Sequence, residues 1–387
     1  MTRGLAANGM TALIVLMIGV LWLISWGRDQ FSGPGPLTQA ACVQVAPNSR
    51  MGQVSRQLVE MGAVTNARIF RIGADYTDRT DQLKAGSFLV EPGASMDEII
   101  EAITRGGQNT CGTEIVFRIG VRSDSVQIRS FDPAAGRYAE DVAFDPAAAA
   151  PPAYATLRDD PGTRYRVVMA EGVTVTDAAE ALAAADFLTG DVGALPAEGM
   201  LAPDSYEVRP GSGRAELIAR MRAAQEARLQ AAWDGKAAEV GLQSPAELLT
   251  LASIVEKETA VAEERGVVAA VFLNRLDRGM LLQTDPTIIY GITRGAGVLD
   301  REIRRSDIAG QTEQRLHGAV EYNTYQVEGL PPGPIANPGL AALEAAANPD
   351  TTDYLFFVAD GTGGHAFAET LEEHNRNVAA YRALQAE

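Results

Sequence analysis

The stretch LTLASIVEKETAVAEERGVVAAVFLNRL, residues 249–276, has the spacing of an amphipathic helix but carries two glutamates, Glu256 and Glu258, two positions apart. The Ser244-Pro245 pair before it is typical of a helix start, because serine caps free N–H groups and proline fits the first turn. At about 100° of rotation per residue, Glu258 falls within the apolar stripe of this helix. Glu256 falls on the flank of the stripe, where a charge is more easily solvated. The pattern therefore predicts different surroundings for the two carboxyl groups.

A carboxyl group on the apolar side of a helix is disfavoured as an anion, so its pKa is expected to rise. A proton retained near neutral pH is what a general acid requires, which makes Glu258 a candidate catalytic residue. The alternative is that the helix ends near Thr259 and leaves Glu258 at a surface rim. Periodicity alone does not decide between the two.

The composition of the chain bounds the class of protein. A chain of 387 residues that is 46% hydrophobic is long enough for two or three domains. Its 50 acidic and 33 basic residues give a net charge of −17, which argues against nucleic acid or another polyanion as a partner. His365 and His374 are too few for a metal centre, and the cysteines lack metal-ligand spacing. We therefore expect no metal and no cofactor.

The N-terminal segment predicts a membrane anchor. Residues 10–26 (MTALIVLMIGVLWLISW) contain no charge, and Trp22 and Trp26 are placed as interfacial residues. A cleaved signal peptide is the alternative, but no small-x-small cleavage site follows the apolar core directly. The flanking charges predict that residues 1–9 form a cytoplasmic tail. The helix would then cross the inner (cytoplasmic) membrane once, with the bulk of the chain in the periplasm.

The rest of the chain predicts an α+β fold. Residues 27–40 include a Gly/Pro-rich linker, and residues 41–112 repeat a strand-turn-helix pattern. This pattern suggests a LysM-like α+β module, with a generic spacer domain as the alternative. Residues 113–245 indicate a middle α+β region with an Ala/Pro-rich loop at 144–155. Residues 246–387 then form a mixed α/β catalytic domain.

Two cysteines, Cys42 and Cys111, bracket the predicted LysM-like module. In an exported protein a disulfide between them can persist, because the compartment is oxidising. Closing so long a loop contributes up to about 4 kcal/mol in the chain-entropy model. Free buried thiols are the alternative. Within the same module, Ser95 followed by Glu98 predicts a capping box at a helix start.

Three turn-rich stretches near the C-terminus bring together amides, hydroxyls, aromatic rings and a histidine. A set of this kind suits a sugar-binding cleft. The proline-rich turns 331–334 and 337–339 also suit a purely structural role, and His365 could make a single structural hydrogen bond. The stretches are LLQTDPTIIYG (281–291), YNTYQVEGLPPGPIANPG (322–339) and LFFVADGTGGHAFAETLEEHN (355–375).

A series of short blocks runs through the second half of the chain: ASIVEKET (252–259), FLNRL (272–276), LQTDPT (282–287), IYG (289–291), YNTY (322–325), GLPPGPI (329–335), FVADGTGGHAF (357–367) and HN (374–375). Together they resemble the endolytic murein transglycosylases of the MltG/YceG-like type. An N-terminal anchor and a LysM-like module also occur in that family. EGMLAPDSYEV (198–208) is similar to a further block, although Ala202 stands where the family has an aromatic residue.

The resemblance implies an activity and a catalytic residue. Members of that family cleave the β-1,4 bond between N-acetylmuramic acid and N-acetylglucosamine inside the glycan strands of peptidoglycan, leaving 1,6-anhydro ends. The second glutamate of the EKET block is the catalytic one, which implies Glu258 here and agrees with its position on the helix. The family also implies coupling to cell-wall synthases and termination of nascent strands.

Polar residues of the remaining blocks are predicted to hold the sugars. Asp285 leaves a second activity open, because a carboxylate at glycosidase distance from Glu258 would make the chain a muramidase, which is a hydrolase. Aspartate before proline is also a common turn residue. A non-enzymatic scaffold that binds peptidoglycan is the third reading. The predicted substrate-binding residues are Gln283, Thr284, Asp285, Tyr290, Tyr322, Asn323, Thr324, Tyr325, His365 and Asn375.

Overall fold

The computed structural model describes residues 2–105, 109–310 and 320–385. It has a mixed α+β fold, as the sequence predicts. Internal contacts divide the chain into two compact units. This division splits the predicted middle region, residues 113–245. The first unit comprises Met1–Val116, Gln127–Phe144 and Ala150–Tyr165, and the second comprises Phe117–Val126, Asp145–Ala149 and Arg166–Glu387.

The first helix, α1 (Thr2–Ser32), is longer than the predicted anchor. Its portion Leu13–Ser32 is long and apolar enough to cross a membrane, as judged by length and composition alone. The predicted linker, 27–40, is helical at its start, because Gly33 N–H still donates to Asp29 O at 2.9 Å. Pro34 has no N–H with which to continue the helix.

The segment predicted as LysM-like contains one helix that the pattern does not predict. This extra helix, α3 (Ala67–Tyr76), is capped by Asn66, whose side chain accepts hydrogen bonds from Arg68 N–H and Ile69 N–H. The two strands of the segment pair antiparallel, with Cys42 opposite Leu89. Assignment to the LysM-like class stays a prediction. The elements are β1 (Ala41–Val45), α2 (Met51–Glu60), α3 (Ala67–Tyr76), β2 (Gly86–Val90) and α4 (Met96–Thr104).

Cys42 and Cys111 form a disulfide, with Cα atoms 5.8 Å apart. The bridge closes a loop of 69 residues, for which the chain-entropy model gives about 4 kcal/mol. The capping box predicted at Ser95 is confirmed, since Glu98 N–H donates to the serine hydroxyl and the Glu98 carboxylate accepts from Ser95 N–H. Leu58 and Ile100, both fully buried, belong to the core of this segment.

A five-stranded sheet follows, with strand order β5-β4-β3-β6-β7. The predicted Ala/Pro loop at 144–155 is wrong at its end, because Pro152 begins helix α5 (Pro152–Arg158). Proline at the first helical position is compatible with a helix, since that N–H would have no partner. The strands are β3 (Thr113–Ile119), β4 (Ser125–Asp132), β5 (Arg137–Phe144), β6 (Arg164–Met169) and β7 (Ser205–Val208), and α6 (Val175–Ala184) follows β6.

The core of the second unit is built by helices that pack against α8 (Pro245–Glu258). The predicted start of α8 is confirmed: the Ser244 side chain accepts from Glu247 N–H at 3.3 Å, and Pro245 lies in the first turn. Leu251 and Ile254 are fully buried. The remaining elements are α7 (Arg214–Asp234), α9 (Arg265–Asp277), α10 (Asp285–Thr293), α11 (Arg305–Ile308), α12 (Leu340–Ala347), β8 (Phe356–Ala359), β9 (His365–Ala368) and α13 (Leu371–Gln385).

Candidate active site

Glu258 is the last residue of α8, and Thr259 after it is extended, with φ −136°. The helix therefore ends where the second reading of the sequence placed its end. Glu258 is nevertheless only partly exposed, and the preceding turn is fully buried at Ile254 and Val255. The carboxyl group thus lies at the negative end of the helix dipole, which disfavours an anion.

The Thr284 hydroxyl donates a hydrogen bond to Glu258 Oε1. Thr284 is itself fixed by two hydrogen bonds: its N–H donates to Thr324 Oγ1 at 3.1 Å, and its carbonyl oxygen accepts from Thr287 Oγ1 at 2.7 Å. Gln283 adopts a left-handed conformation with φ +53°, and its N–H donates to Thr324 O at 3.1 Å. The LQTDPT block is therefore folded so that one hydroxyl contacts the glutamate.

Burial raises the pKa of Glu258, and the nearby Asp285 carboxylate raises it further. The hydrogen bond from Thr284 and the electrostatic effects of His365 and Arg275 act in the opposite direction but do not cancel the rise. Location at the end of α8 adds to the rise, because a charged carboxylate is least favoured there. Glu258 thus has the surroundings of a proton donor.

Asp285 is the first residue of α10 and is exposed. Its Oδ1 accepts a hydrogen bond from Tyr325 OH at 2.8 Å. Burial raises the pKa of Tyr325, and the bond to Asp285 raises it further, so the phenol remains a hydrogen-bond donor. Tyr325 therefore fixes the orientation of the Asp285 carboxylate, and the charge of that carboxylate acts on Glu258.

Glu264 holds His365 by two hydrogen bonds, at 2.8 Å from the backbone N–H and 2.6 Å from ring Nδ1. It also accepts from the Thr259 hydroxyl at 3.3 Å. Burial alone would raise the pKa of Glu264, but the bonds from His365 lower it overall. The histidine is thereby fixed beside the end of α8. Nδ1 is engaged with the carboxylate, so Nε2 is the ring nitrogen left for another partner.

Arg275 is a buried cation that the sequence interpretation missed. Its guanidinium group donates to Leu355 O at 2.7 Å and to Leu282 O at 2.8 Å. Burial lowers its pKa, and attraction to Glu258 opposes that shift. The signal was the arginine inside the otherwise apolar FLNRL block.

Tyr290 and Tyr322 contact each other, with ring centroids 5.0 Å apart. Tyr290 OH donates to Glu198 Oε2 at 3.3 Å, and the Arg294 guanidinium lies 5.3 Å from the Tyr322 ring centroid. Glu198 Oε1 also accepts from Val175 N–H at 2.9 Å. Burial raises the pKa of Glu198 despite these bonds. The sequence interpretation missed Glu198, although it begins the EGMLAP block.

A cavity of about 690 Å³ adjoins Asp285 and Tyr290. Lys257, the residue before the candidate acid, also lines it and donates to Gly172 O at 3.3 Å. Charged and aromatic groups on the walls suit a polar, ring-shaped ligand. Further lining residues are Arg122, Thr174, Asp177, Thr293, Arg301 and Glu302.

Three predicted sugar-binding residues are placed differently from the prediction. Two are buried out of reach of a sugar, and the third lies apart from the residues around Glu258. Asn323 and Thr324 are fully buried, and Asn323 Nδ2 donates to Asp307 O at 3.0 Å. Their side chains build the wall, so the prediction of direct contact is wrong for both. Asn375 is exposed on α13, and among the described residues no hydrogen bond joins its side chain to Glu258.

Glu256 is not the solvated charge that the helix pattern predicts. It is partly buried, and its Oε2 accepts from Gly339 N–H at 3.0 Å. Burial raises its pKa, as does Glu171, while Arg265 lowers it. The helical pattern describes only α8 itself. It contains no information about the segment around Gly339, which packs against the Glu256 side of the helix.

Comparison with known proteins places this chain in a family. The family model described as the YceG-like family matches residues 43–137 and 132–380. The chain belongs to the YceG-like family. No group of three or more His, Cys, Asp or Glu able to hold a metal ion occurs within residues 2–105, 109–310 and 320–385 of this YceG-like chain.

Two relatives carry the same name. The endolytic murein transglycosylase of Streptococcus pneumoniae is 29% identical over 343 residues, covering 88% of this chain and 58% of the relative. The endolytic murein transglycosylase of Bacillus subtilis is 43% identical over 130 residues, covering 34% of this chain and 33% of the relative. The YceG-like chain thus spans little more than half the length of its pneumococcal relative.

A solved structure of a YceG-like protein from Listeria monocytogenes is 25% identical and aligns with 87% of this chain and 98% of its own. The TM-score of the two structures is 0.45.

Proposed function

We propose that the chain is a membrane-anchored endolytic lytic transglycosylase of peptidoglycan, with Glu258 as its catalytic residue. The observation that carries the proposal is the partly buried carboxyl group of Glu258, whose pKa is raised and which accepts a hydrogen bond from Thr284, in the block by which the chain resembles this class. Membership of the YceG-like family and two relatives named endolytic murein transglycosylase support it.

The chemistry needs one proton carrier. Glu258 donates its proton to the glycosidic oxygen as the bond between that oxygen and muramyl C1 breaks. The ionised carboxylate then takes the proton of the muramyl C6 hydroxyl while O6 bonds to C1, so the acid is regenerated and no water is consumed. The attacking oxygen belongs to the substrate, which removes the need for a second carboxylate to position a nucleophile.

Two groups are proposed to position Glu258 or to tune its proton affinity, and two others to contact the glycan or to orient that contact. Thr284 fixes the carboxyl by its hydroxyl, and Asp285 favours the protonated form by its charge. Glu264 orients His365, whose remaining nitrogen is available to a hydroxyl or amide of the glycan. Glu264 acts through His365 and is therefore a positioning residue.

The accessible aromatic and polar residues are proposed to hold the sugars. Tyr290 and Asp285 line the 690 Å³ cavity, and Tyr322 packs against Tyr290. Gln283 is exposed beside the acid, and Tyr325 is held by Asp285. Sugar rings stack on aromatic faces while hydroxyls pair with amides and carboxylates, which is the chemistry that these side chains offer.

A muramidase is the second candidate, because Asp285 interacts electrostatically with Glu258. In that reaction a carboxylate would position water or attack the sugar itself. The position of Asp285 at the exposed start of α10, bonded to Tyr325, favours a role in tuning Glu258 instead. A non-enzymatic scaffold is the third candidate.

We also propose that α1 anchors the enzyme in the cytoplasmic membrane with its bulk in the periplasm. One helix of sufficient length and apolarity supports the anchor. A LysM-like module would add contacts to glycan strands. Cell-wall synthases are proposed partners, because cleavage inside a nascent strand would end its growth.

The deciding experiment digests peptidoglycan with the full chain in water enriched in oxygen-18 and determines the masses of the fragments. We expect 1,6-anhydro ends without oxygen-18. Reducing ends that contain oxygen-18 would identify a muramidase. The absence of any fragment, together with retained binding to peptidoglycan, would identify a scaffold.

A further inference from the structure

Helix α3 exposes an apolar stripe that the proposed reaction does not use. Ile72 is 60% exposed and Tyr76 is 91% exposed. Together with Arg68 they are spaced four residues apart, so the three side chains lie on one side of the helix. An arginine, an isoleucine and a tyrosine in one line are typical of a helix at a membrane surface, where the charged and aromatic ends lie among the headgroups.

The same helix packs against the end of the proposed anchor. The Phe31 ring of α1 lies on Gly73 of α3, where an added Cβ would come within 1.9 Å of the ring. The Thr65 hydroxyl just before α3 donates to Gln30 Oε1 at 3.4 Å. Glycine at position 73 therefore permits a close approach of the two helices.

A cavity of about 860 Å³ lies between α1 and α3. One wall is formed by Leu23, Ile24 and Trp26, and the other includes Ile72 and Tyr76. Arg28 and Arg68 also line it, and no hydrogen bond or ion pair engages either guanidinium group in the described part of the chain. The cavity thus combines apolar walls with two cations. Its remaining lining residues are Gly27, Phe31, Asn66, Ile69 and Gly73.

The position of the cavity along α1 determines how deep the cavity lies in a bilayer that α1 crosses. Residues 10–28 rise about 27 Å, close to the roughly 30 Å hydrocarbon thickness of a membrane. Leu23 lies about 7.5 Å below Arg28 along the helix axis. Because Leu23 and Tyr76 line the same cavity, a bilayer that covers Leu23 also reaches α3.

We propose that α3 lies in the bilayer interface beside the anchor. Phospholipid acyl chains cover Ile72 and fill the apolar part of the cavity, and lipid phosphate groups pair with Arg28 and Arg68. Tyr76 lies at headgroup level, as amphipathic aromatic side chains do. The proposal rests on membrane anchoring by α1. The segment of residues 41–112 would then be attached to the membrane at two points instead of one, which would restrict its tilt relative to the bilayer.

The test uses the full chain in nanodiscs that contain lipid with a spin label near the headgroup. An environment-sensitive fluorophore is attached at Ile72→Cys or Tyr76→Cys, and the native cysteines are protected by their disulfide. Arg71→Cys is the matched control, because Arg71 is exposed on the same helix but turned towards Gly52 of α2. Ile18→Cys reports whether the anchor itself is inserted.

We expect blue-shifted emission and lipid quenching at positions 72 and 76, several-fold stronger than at position 71. Solvent-like emission at 72 and 76 with blue-shifted emission at 18 would overturn the proposal. Blue-shifted but unquenched labels at 72 and 76 would also overturn it, because protein, such as a second copy of α1, would then cover the stripe. Solvent-like emission at 18 would refute the anchor and with it this inference. Activity of the same samples towards peptidoglycan reports on the proposed reaction independently.

Discussion

Two glutamates on opposite sides of the C-terminal turn of α8 differ in the groups that they contact rather than in their burial. Glu256 and Glu258 are both partly buried, and burial raises the pKa of each. Glu256 is bonded to a backbone N–H of Gly339 and has the cation Arg265 nearby. Glu258 contacts a hydroxyl and faces the carboxylate of Asp285. A raised pKa alone therefore does not identify a catalytic acid, and the two glutamates are told apart by the groups beside them.

The largest expected effect separates the two glutamates by activity. Glu258→Gln is expected to lower the rate of glycan cleavage about a thousand-fold, because general acid–base catalysis is lost without a change in shape. Glu256→Gln keeps the hydrogen bond from Gly339 and is expected to stay within a few-fold of wild type. Initial rates on purified glycan strands check both. Equal losses in the two variants would remove the distinction between the two sides.

The next largest effect concerns the hydrogen-bonded pair Glu264 and His365, which lies beside Glu258. Glu264→Gln weakens the hydrogen bonds that orient His365. It is expected to lower kcat about tenfold, which corresponds to an activation barrier raised by about 1.4 kcal/mol, with little change in KM. Glu263→Gln is the matched control, since Glu263 is exposed next to it. Thermal melting of both variants serves as the folding check. A change in melting temperature without a change in kcat would reduce Glu264 to a structural residue.

Smaller, opposite effects are expected from the two groups that tune Glu258. Asp285→Asn removes a charge that raises the Glu258 pKa, so the alkaline limb of the kcat/KM profile should move to lower pH. Thr284→Val removes a hydrogen bond that lowers this pKa, so the limb should move to higher pH. Tyr325→Phe, which keeps the Asp285 charge, should leave the limb close to wild type. Shifts of the same sign in the first two variants would contradict these assignments.

The smallest effect is on stability. Because the fold raises the pKa of Glu258, the folded state binds its proton more tightly, and the ionised group destabilises the fold above the folded pKa. Below the ordinary value of 4.5 the group is protonated in both states and makes no difference. Glu258→Gln should therefore raise the melting temperature by a few degrees near pH 8, and this gain should vanish near pH 4. A constant gain at all pH values would show that charge is not its cause.

Local signals in the sequence predicted much of the fold. The start of α8 at Ser244-Pro245 and the capping box at Ser95 depend only on neighbouring residues, and both are confirmed. Helix α3 was missed although its start at Asn66 is an equally local signal. The apolar stripe predicted burial for Glu258, although the helix ends there.

The surroundings of the site were less predictable, because they come from contacts between distant parts of the chain. Glu264 and His365 are 101 positions apart, and Glu198 and Tyr290 are 92 apart. Periodicity carries no information about such pairs. The same limit explains why Asn323 looked available to a sugar, although its amide is used to hold the chain at Asp307.

The most direct test of the account follows the carboxyl carbon of Glu258 by NMR across a pH titration of the full chain with labelled glutamate. The signal is assigned by its loss in Glu258→Gln. The account predicts a pKa above the ordinary value of 4.5 and a lower one in Asp285→Asn. A carboxyl group that titrates at or below 4.5 would contradict it, because such a group would hold no proton to donate near neutral pH.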